Sequence, residues 1–213
     1  MSRPAHISGL YAVTPDEADT DILLDKVRRV LAGGARWLQY RNKLADADLQ
    51  REQAAALRTL TRSYAARLIV NDDPDLALAV DAEGVHLGAA DQDIAVVRAK
   101  LGADKIIGAS CYNRAPLALE AVTQGADYVA FGAFFPSGVK PGAVKAEIDM
   151  LRQVHLDLPV PVVAIGGITL DNAPQLLAAG ADALAVISSV FAAPDIEQAA
   201  QNFSNLFRQD RQA

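Results

Sequence analysis

The residues with the most chemical content fall in short clusters. One reads Gln39-Tyr40-Arg41-Asn42-Lys43 and follows the apolar Trp37-Leu38. On an extended backbone successive side chains take opposite faces. Leu38 and Tyr40 then share a face suited to packing, and Gln39, Arg41 and Lys43 share the other. An amide and two cations on an inward face are costly unless they are paired, and a bound anion would pair them. A second cluster is Asn71-Asp72-Asp73-Pro74. Asp73 before Pro74 reads as a helix N-cap followed by proline at the first helical position, which leaves Asn71 and Asp72 surplus to the cap. A third is Val85-His86-Leu87-Gly88, with Asp91 just beyond. His86 alone reads as a core histidine with satisfied hydrogen bonds, and Asp91 has helix capping as its alternative role. Strands paired side by side lie about 4.8 Å apart. If Asp72 and Asp91 follow such neighbours, their carboxylates repel unless a cation lies between them. Magnesium suits that position, because it takes few carboxylates and completes its shell with water and phosphate oxygens.

These clusters need elements to position them. Short apolar or β-branched runs at 7–14, 36–41, 67–71, 84–87, 105–110, 127–132, 160–166 and 182–187 read as strands. Amphipathic or helix-forming stretches at 21–32, 47–64, 74–80, 93–101, 114–124, 145–154, 170–179 and 194–207 read as helices between them. Alternation of this kind predicts a parallel sheet with right-handed crossovers. Gly34-Ala35-Arg36, Gly125-Ala126-Asp127 and Gly180-Ala181-Asp182 repeat one joint between a helix and the next strand; the glycine suits a left-handed position after a helix. Eight such units in 213 residues predict a single-domain (β/α)8 barrel over 1–213 with its core at about 7–207. The alternative is an open doubly wound sheet, which usually carries a glycine fingerprint after its first strand; here Thr14-Pro15-Asp16 follows instead.

In a (β/α)8 barrel the mouth is built where strands end. Ser110, at the end of the fifth strand, has no base beside it in sequence, so a hydroxyl bonding to a ligand is expected rather than a nucleophile. Cys111 reads as a small buried residue. After the sixth strand, Phe135-Pro136-Ser137-Gly138-Val139-Lys140-Pro141 forms a loop able to close over a ligand, with Lys140 as a third cation. Gly166-Gly167 and Ile187-Ser188 follow the last two strands, where this fold often binds phosphate. Three cations, two carboxylates suited to a metal and a backbone cradle provide for a pyrophosphate with magnesium and, separately, a phosphate. The implied chemistry is electrostatic stabilisation of a leaving pyrophosphate.

The remaining numbers exclude other classes. The formal net charge is −6 and no basic stripe is visible, against nucleic-acid binding. A single cysteine excludes a disulfide framework and a multi-cysteine metal site. No apolar run approaches the ~20 residues of a membrane-spanning helix, and no signal-peptide pattern is seen. A cytoplasmic protein with small-molecule substrates is expected.

In order along the chain, Leu10-Tyr11-Ala12-Val13-Thr14, Gln39-Tyr40-Arg41-Asn42-Lys43, Val70-Asn71-Asp72-Asp73, Val85-His86-Leu87-Gly88 with Asp91, Gly125-Ala126-Asp127-Tyr128-Val129, Phe135-Pro136-Ser137 with Lys140, Ile165-Gly166-Gly167-Ile168 and Ile187-Ser188 resemble the thiamine phosphate synthase family. The resemblance runs from about Gly9 to Phe203. It implies condensation of an aminopyrimidine pyrophosphate with a thiazole phosphate, giving thiamine phosphate and pyrophosphate. In the family the pyrophosphate leaves first, and the thiazole nitrogen then attacks the pyrimidinylmethyl cation. Gln39 and Ser110 would contact the pyrimidine. Arg41, Lys43, Asn71 and Lys140 would bind its pyrophosphate, within a substrate-binding stretch that includes Tyr40 and Asn42. Asp72 and Asp91 would ligate magnesium. Ser137, Gly138, Val139, Gly167, Ile187 and Ser188 would hold the thiazole phosphate. Arg41, Lys43, Lys140 and Ser110 would carry the catalysis. The family association also suggests a small homo-oligomer. Three departures stand out: Ala89 where glutamine is frequent, Asn42 where glutamate is usual, and Val139 where a threonine hydroxyl would reach the phosphate. Val139→Thr is therefore expected to lower the KM for thiazole phosphate, and an unchanged or higher KM would contradict that role. Rival readings are a thiazole tautomerase-like enzyme and a catalytically silent ligand-binding barrel.

Overall fold

The structure is a computed structural model, which describes residues 7–88, 93–136, 142 and 144–209. Eight strands alternate with helices: β1 (Gly9–Val13), α1 (Thr20–Ala32), β2 (Trp37–Tyr40), α2 (Ala47–Ser63), β3 (Arg67–Asn71), α3 (Pro74–Ala79), β4 (Gly84–Leu87), α4 (Ile94–Leu101), β5 (Ile106–Tyr112), α5 (Ala115–Thr123), β6 (Tyr128–Phe131), α6 (Ile148–Asp157), β7 (Val162–Ile165), α7 (Ala173–Ala178) and β8 (Ala183–Val186), followed by α8 (Ser188–Phe191) and α9 (Ile196–Gln209). The strands pair in sequence order as a closed barrel, and every pair is parallel. The seam is the β1–β8 pair, with Gly9 opposite Ala183, and α9 packs across it against α1 and β1. The expected (β/α)8 barrel is the observed one; no open edge remains.

Alternation along each strand builds two apolar layers. Residues facing outward, such as Leu38, Tyr40, Leu68, Val70 and Val129, pack under the helices. Residues facing inward, such as Tyr11, Trp37, Ile69, Ile106, Tyr128 and Val163, fill the barrel. Full burial of each large apolar side chain stabilises the fold by about 1.5–3 kcal/mol.

The strand starts carry a repeated tie. Glu83, just before β4, accepts the Leu68 N–H of β3 at 2.7 Å. Asp127, just before β6, accepts the Ile107 N–H of β5 at 2.8 Å. Asp182, just before β8, accepts the Val162 N–H of β7 at 2.8 Å. A cation of the intervening part of the barrel backs two of them: Arg58 of α2 pairs with Glu83 at 2.6 Å, and Arg98 of α4 pairs with Asp127. The joints before these strands use left-handed glycines as expected, at φ 105° for Gly125 and 97° for Gly180. Among the described residues, no helix is long and apolar enough to cross a membrane.

Candidate active site at the strand ends

The C-terminal end of β2 is held by Thr14. Its hydroxyl donates to the Arg41 carbonyl and accepts the Arg41 N–H, both at 2.8 Å, and Thr14 is fully buried. Asp16, two residues on, accepts the Lys43 N–H at 2.7 Å and faces the Arg41 guanidinium at 3.3 Å. The β1 loop therefore fixes where both cations emerge. Asp16 was not among the expected site residues: its partners lie 25 and 27 positions away, and only the short polar Thr14-Pro15-Asp16 after a strand hinted at it.

Arg41 and Lys43 project beside the end of β3. Lys43 Nζ lies 3.5 Å from Asp72 Oδ2, with the two side chains 56% and 32% exposed. So exposed a pair is weak by itself and leaves the carboxylate open to a further cation. Asp72 has a left-handed backbone, φ 63°, and its N–H donates to the His86 carbonyl at 2.8 Å. A non-glycine residue in that region is uncommon, and here it turns the carboxylate over the strand end. Asp73 caps α3 through the Leu76 N–H at 2.9 Å, with Pro74 next, as the sequence implies. A cleft of about 510 Å³ lies between these loops, and Arg41, Lys43, Asn71 and Asp72 line it.

Tyr40 and Asn42 border the same cleft, but their polar atoms are engaged behind it. The Tyr40 hydroxyl donates to Gln53 Oε1 at 2.9 Å. Asn42 Nδ2 donates to Gln53 Oε1 at 3.0 Å and to the Glu17 carbonyl at 2.6 Å. Gln53 is fully buried and donates in turn to the Glu17 carbonyl at 2.9 Å. Both side chains thus brace the loops while bordering the cleft. The acceptor that holds them is buried on α2, which sequence spacing does not display.

Inside the barrel the polar residues form one chain. Gln39 Nε2 donates to the Tyr11 hydroxyl at 3.0 Å, which lies 2.8 Å from the Tyr128 hydroxyl. The Tyr128 hydroxyl is 2.9 Å from His86 Nδ1, and His86 Nε2 is 2.9 Å from Ser110 Oγ. His86 also stacks on Tyr128 with centroids 5.6 Å apart. It is the satisfied histidine that was expected, and its position below Ser110 was not legible. Burial pushes both phenols well above their ordinary ionisation range. Ser110 sits where β5 shifts register against β6, and it borders a second cavity of about 310 Å³ together with Gly88.

Across the mouth, Gly166 and Gly167 follow β7 at φ 102° and 63°. A Cβ on Gly167 would lie 2.3 Å from the Pro136 carbonyl oxygen, so glycine is required there both for conformation and for room. Ile187 follows β8 as the N-cap of the short helix α8, which Ser188 opens; the sequence predicts a strand over 182–187 and no helix here. Asp91, Ala89, Ser137, Gly138, Val139 and Lys140 lie outside the described residues. Among the described residues, no group of three or more acidic, histidine or cysteine side chains gathers into a metal cluster.

The family model described as thiamine monophosphate synthase matches residues 10–190. The "Thiamine-phosphate synthase" of Methylobacillus flagellatus is 56% identical over 201 residues, covering 94% of this chain and 96% of the relative. That of Azoarcus sp. is 57% identical over 201 residues, covering 94% and 98%. A solved structure named thiamine phosphate pyrophosphorylase from Pyrococcus furiosus superposes with a TM-score of 0.83 at 39% identity, over 94% of this chain and 96% of that one. The chain belongs to the thiamine monophosphate synthase family.

Proposed function

We propose that the protein is a transferase that condenses an aminopyrimidine pyrophosphate with a thiazole phosphate, releasing pyrophosphate and forming thiamine phosphate. The observation that carries the reading is the convergence of Arg41, Lys43, Asn71 and Asp72 on one cleft at adjacent strand ends, in a chain with relatives of that name over nearly its whole length. Arg41 and Lys43, held by Thr14 and Asp16, stabilise the negative charge that grows on the departing pyrophosphate. Asn71 adds an amide donor beside them. Lys140 supplies a further cation. No protein nucleophile is needed, because the thiazole nitrogen attacks the pyrimidinylmethyl cation directly. Ser110 and Gln39 hold the pyrimidine. Gly167, Ile187 and Ser188, with Ser137, Gly138 and Val139, hold the thiazole phosphate, in line with anion binding at left-handed glycines and helix starts.

The donor set at the end of β3 fits magnesium. Asp72 offers a hard carboxylate that is 32% exposed and engaged only weakly by Lys43, and Asp91 would be the second ligand. When bound, the ion supplies positive charge to the pyrophosphate oxygens. The protein acts on small molecules in the cytoplasm, as a small homo-oligomer.

The decisive test is thiamine phosphate formation by purified protein given both substrates with magnesium or with EDTA. Product that requires magnesium, and that falls at least 100-fold in Asp72→Ala, is expected. Well-folded wild type that makes no product would overturn the reading.

A further inference from the structure

The chain of hydrogen bonds inside the barrel joins five residues from five strands: Gln39, Tyr11, Tyr128, His86 and Ser110. Tyr11 and Tyr128 are each 1% exposed, Gln39 5% and His86 7%, so bulk water has little access to the chain. Its two ends, Gln39 and Ser110, are the residues that the proposed function assigns to the pyrimidine.

The direction of each link is tied to the next. An amide N–H can only donate, so Tyr11 accepts from Gln39 and has its one proton left for Tyr128. Tyr128 then accepts from Tyr11 and donates to His86 Nδ1. A neutral imidazole that accepts at Nδ1 carries its proton on Nε2 and donates it to Ser110 Oγ. The Ser110 proton is thereby turned away from His86. Burial keeps both phenols protonated, and with His86 in its neutral form each link holds one proton. The result is an acceptor, Gln39 Oε1, at one end and a hydroxyl donor at the other. An aminopyrimidine presents the complementary pair: an amino group that donates and a ring nitrogen that accepts.

We propose that these five side chains act as one positioning relay that fixes opposite polarity at Gln39 and Ser110, so that the amino group and a ring nitrogen of the pyrimidine are recognised together rather than independently. This rests on the proposed function. The relay explains why the interior of the barrel, elsewhere apolar, carries two phenols and an imidazole: they transmit orientation from β2 to β5 across the barrel. Tyr11 and Tyr128 touch no substrate in this scheme and act through the residues at the ends.

The test uses an unreactive pyrimidine diphosphate analogue, with carbon in place of the ester oxygen, and the full-length protein with magnesium. Its dissociation constant is measured by calorimetry for wild type, Tyr11→Phe, Tyr128→Phe and the double variant. Each single change should weaken binding about tenfold, the scale of one lost buried hydrogen bond, and the double variant should lose no more than the worse single one, because either cut opens the same relay. Nitrogen NMR of the imidazoles reads the tautomer independently, with only 3 histidines to assign. His86 should carry its proton on Nε2 in the wild-type complex and become a tautomer mixture in Tyr11→Phe, where the link to Gln39 is cut two residues away. Losses that simply add, or a proton on Nδ1 in the complex, would overturn the relay while leaving the function intact. A wild type that does not bind the analogue would overturn both.

Discussion

Gly108 faces the Tyr128 ring so closely that a Cβ there would lie 2.0 Å from Cζ and 2.3 Å from the hydroxyl oxygen. Glycine on β5 is thus the space in which the phenol stands. Gly108→Ala is expected to destabilise the fold by about 1–3 kcal/mol through overpacking, measured by urea unfolding, and to weaken pyrimidine binding with it; unchanged stability would mean that the ring has room to move. Asn42 makes a second residue-scale case. Its amide donates to two acceptors, whereas a carboxylate of the same shape accepts only. Asn42→Asp should cost about 1–3 kcal/mol and raise the KM for the pyrimidine substrate by loosening the Arg41 and Lys43 loop. A variant as stable as wild type would argue against the bracing role. At this scale the sequence was legible where the pattern is local. Asp73 capping α3 and the inward Gln39 beside the outward Tyr40 follow from neighbours a few positions apart. Asp16 and Gln53 were missed because their partners lie 11 to 36 positions away.

At the scale of elements, the ties at Glu83, Asp127 and Asp182 stitch β3 to β4, β5 to β6 and β7 to β8 at the end opposite the mouth. Asp127→Ala removes a charged acceptor from the Ile107 N–H and a partner from Arg98. It is expected to destabilise the protein by about 2–4 kcal/mol while leaving the KM of both substrates within about twofold, since ties at this end of the barrel concern stability. A changed KM with unchanged stability would contradict that division. Element order was readable apart from the short helix α8, and β3 and β4 match their expected bounds, because runs of apolar residues end at turn-forming ones. Helix α6 was expected at 145–154 but forms at Ile148–Asp157. The residues before it are extended: Val144 accepts the Ala133 N–H at 3.0 Å, and Ala146 donates to the Ala133 carbonyl at 2.9 Å. That pairing with the end of β6 overrides local helix preference. Helix α7 starts later than expected, at Ala173, because Asn172 Oδ1 accepts the Thr169 N–H at 2.8 Å and closes a turn first.

For the whole molecule, four buried acids set the alkaline limit of stability. Burial pushes the Cys111 thiol up from 9.0 to about 12, and raises Tyr11, Tyr40 and Tyr128 above an ordinary 10.0. Below pH 9 all four hold their protons whether the chain is folded or not, so their stabilising share is complete. Above it the unfolded chain releases protons that the folded one retains, and stability falls as pH rises from about 9 towards 12. Urea unfolding across that range should show the decline, less steep in Cys111→Ala; a flat profile would refute it. The same burial should leave Cys111 unreactive towards iodoacetamide at pH 8 until the protein unfolds. The closed seam has a different consequence. Because β1 pairs with β8 as any neighbours do and α9 lies on β1, the covalent start of the chain is arbitrary with respect to the barrel. A linker joining the present ends, with a new opening at Gly102 between α4 and β5, would give a circular permutant whose mouth loops are uncut, and which should therefore turn over substrate while folding in a different vectorial order.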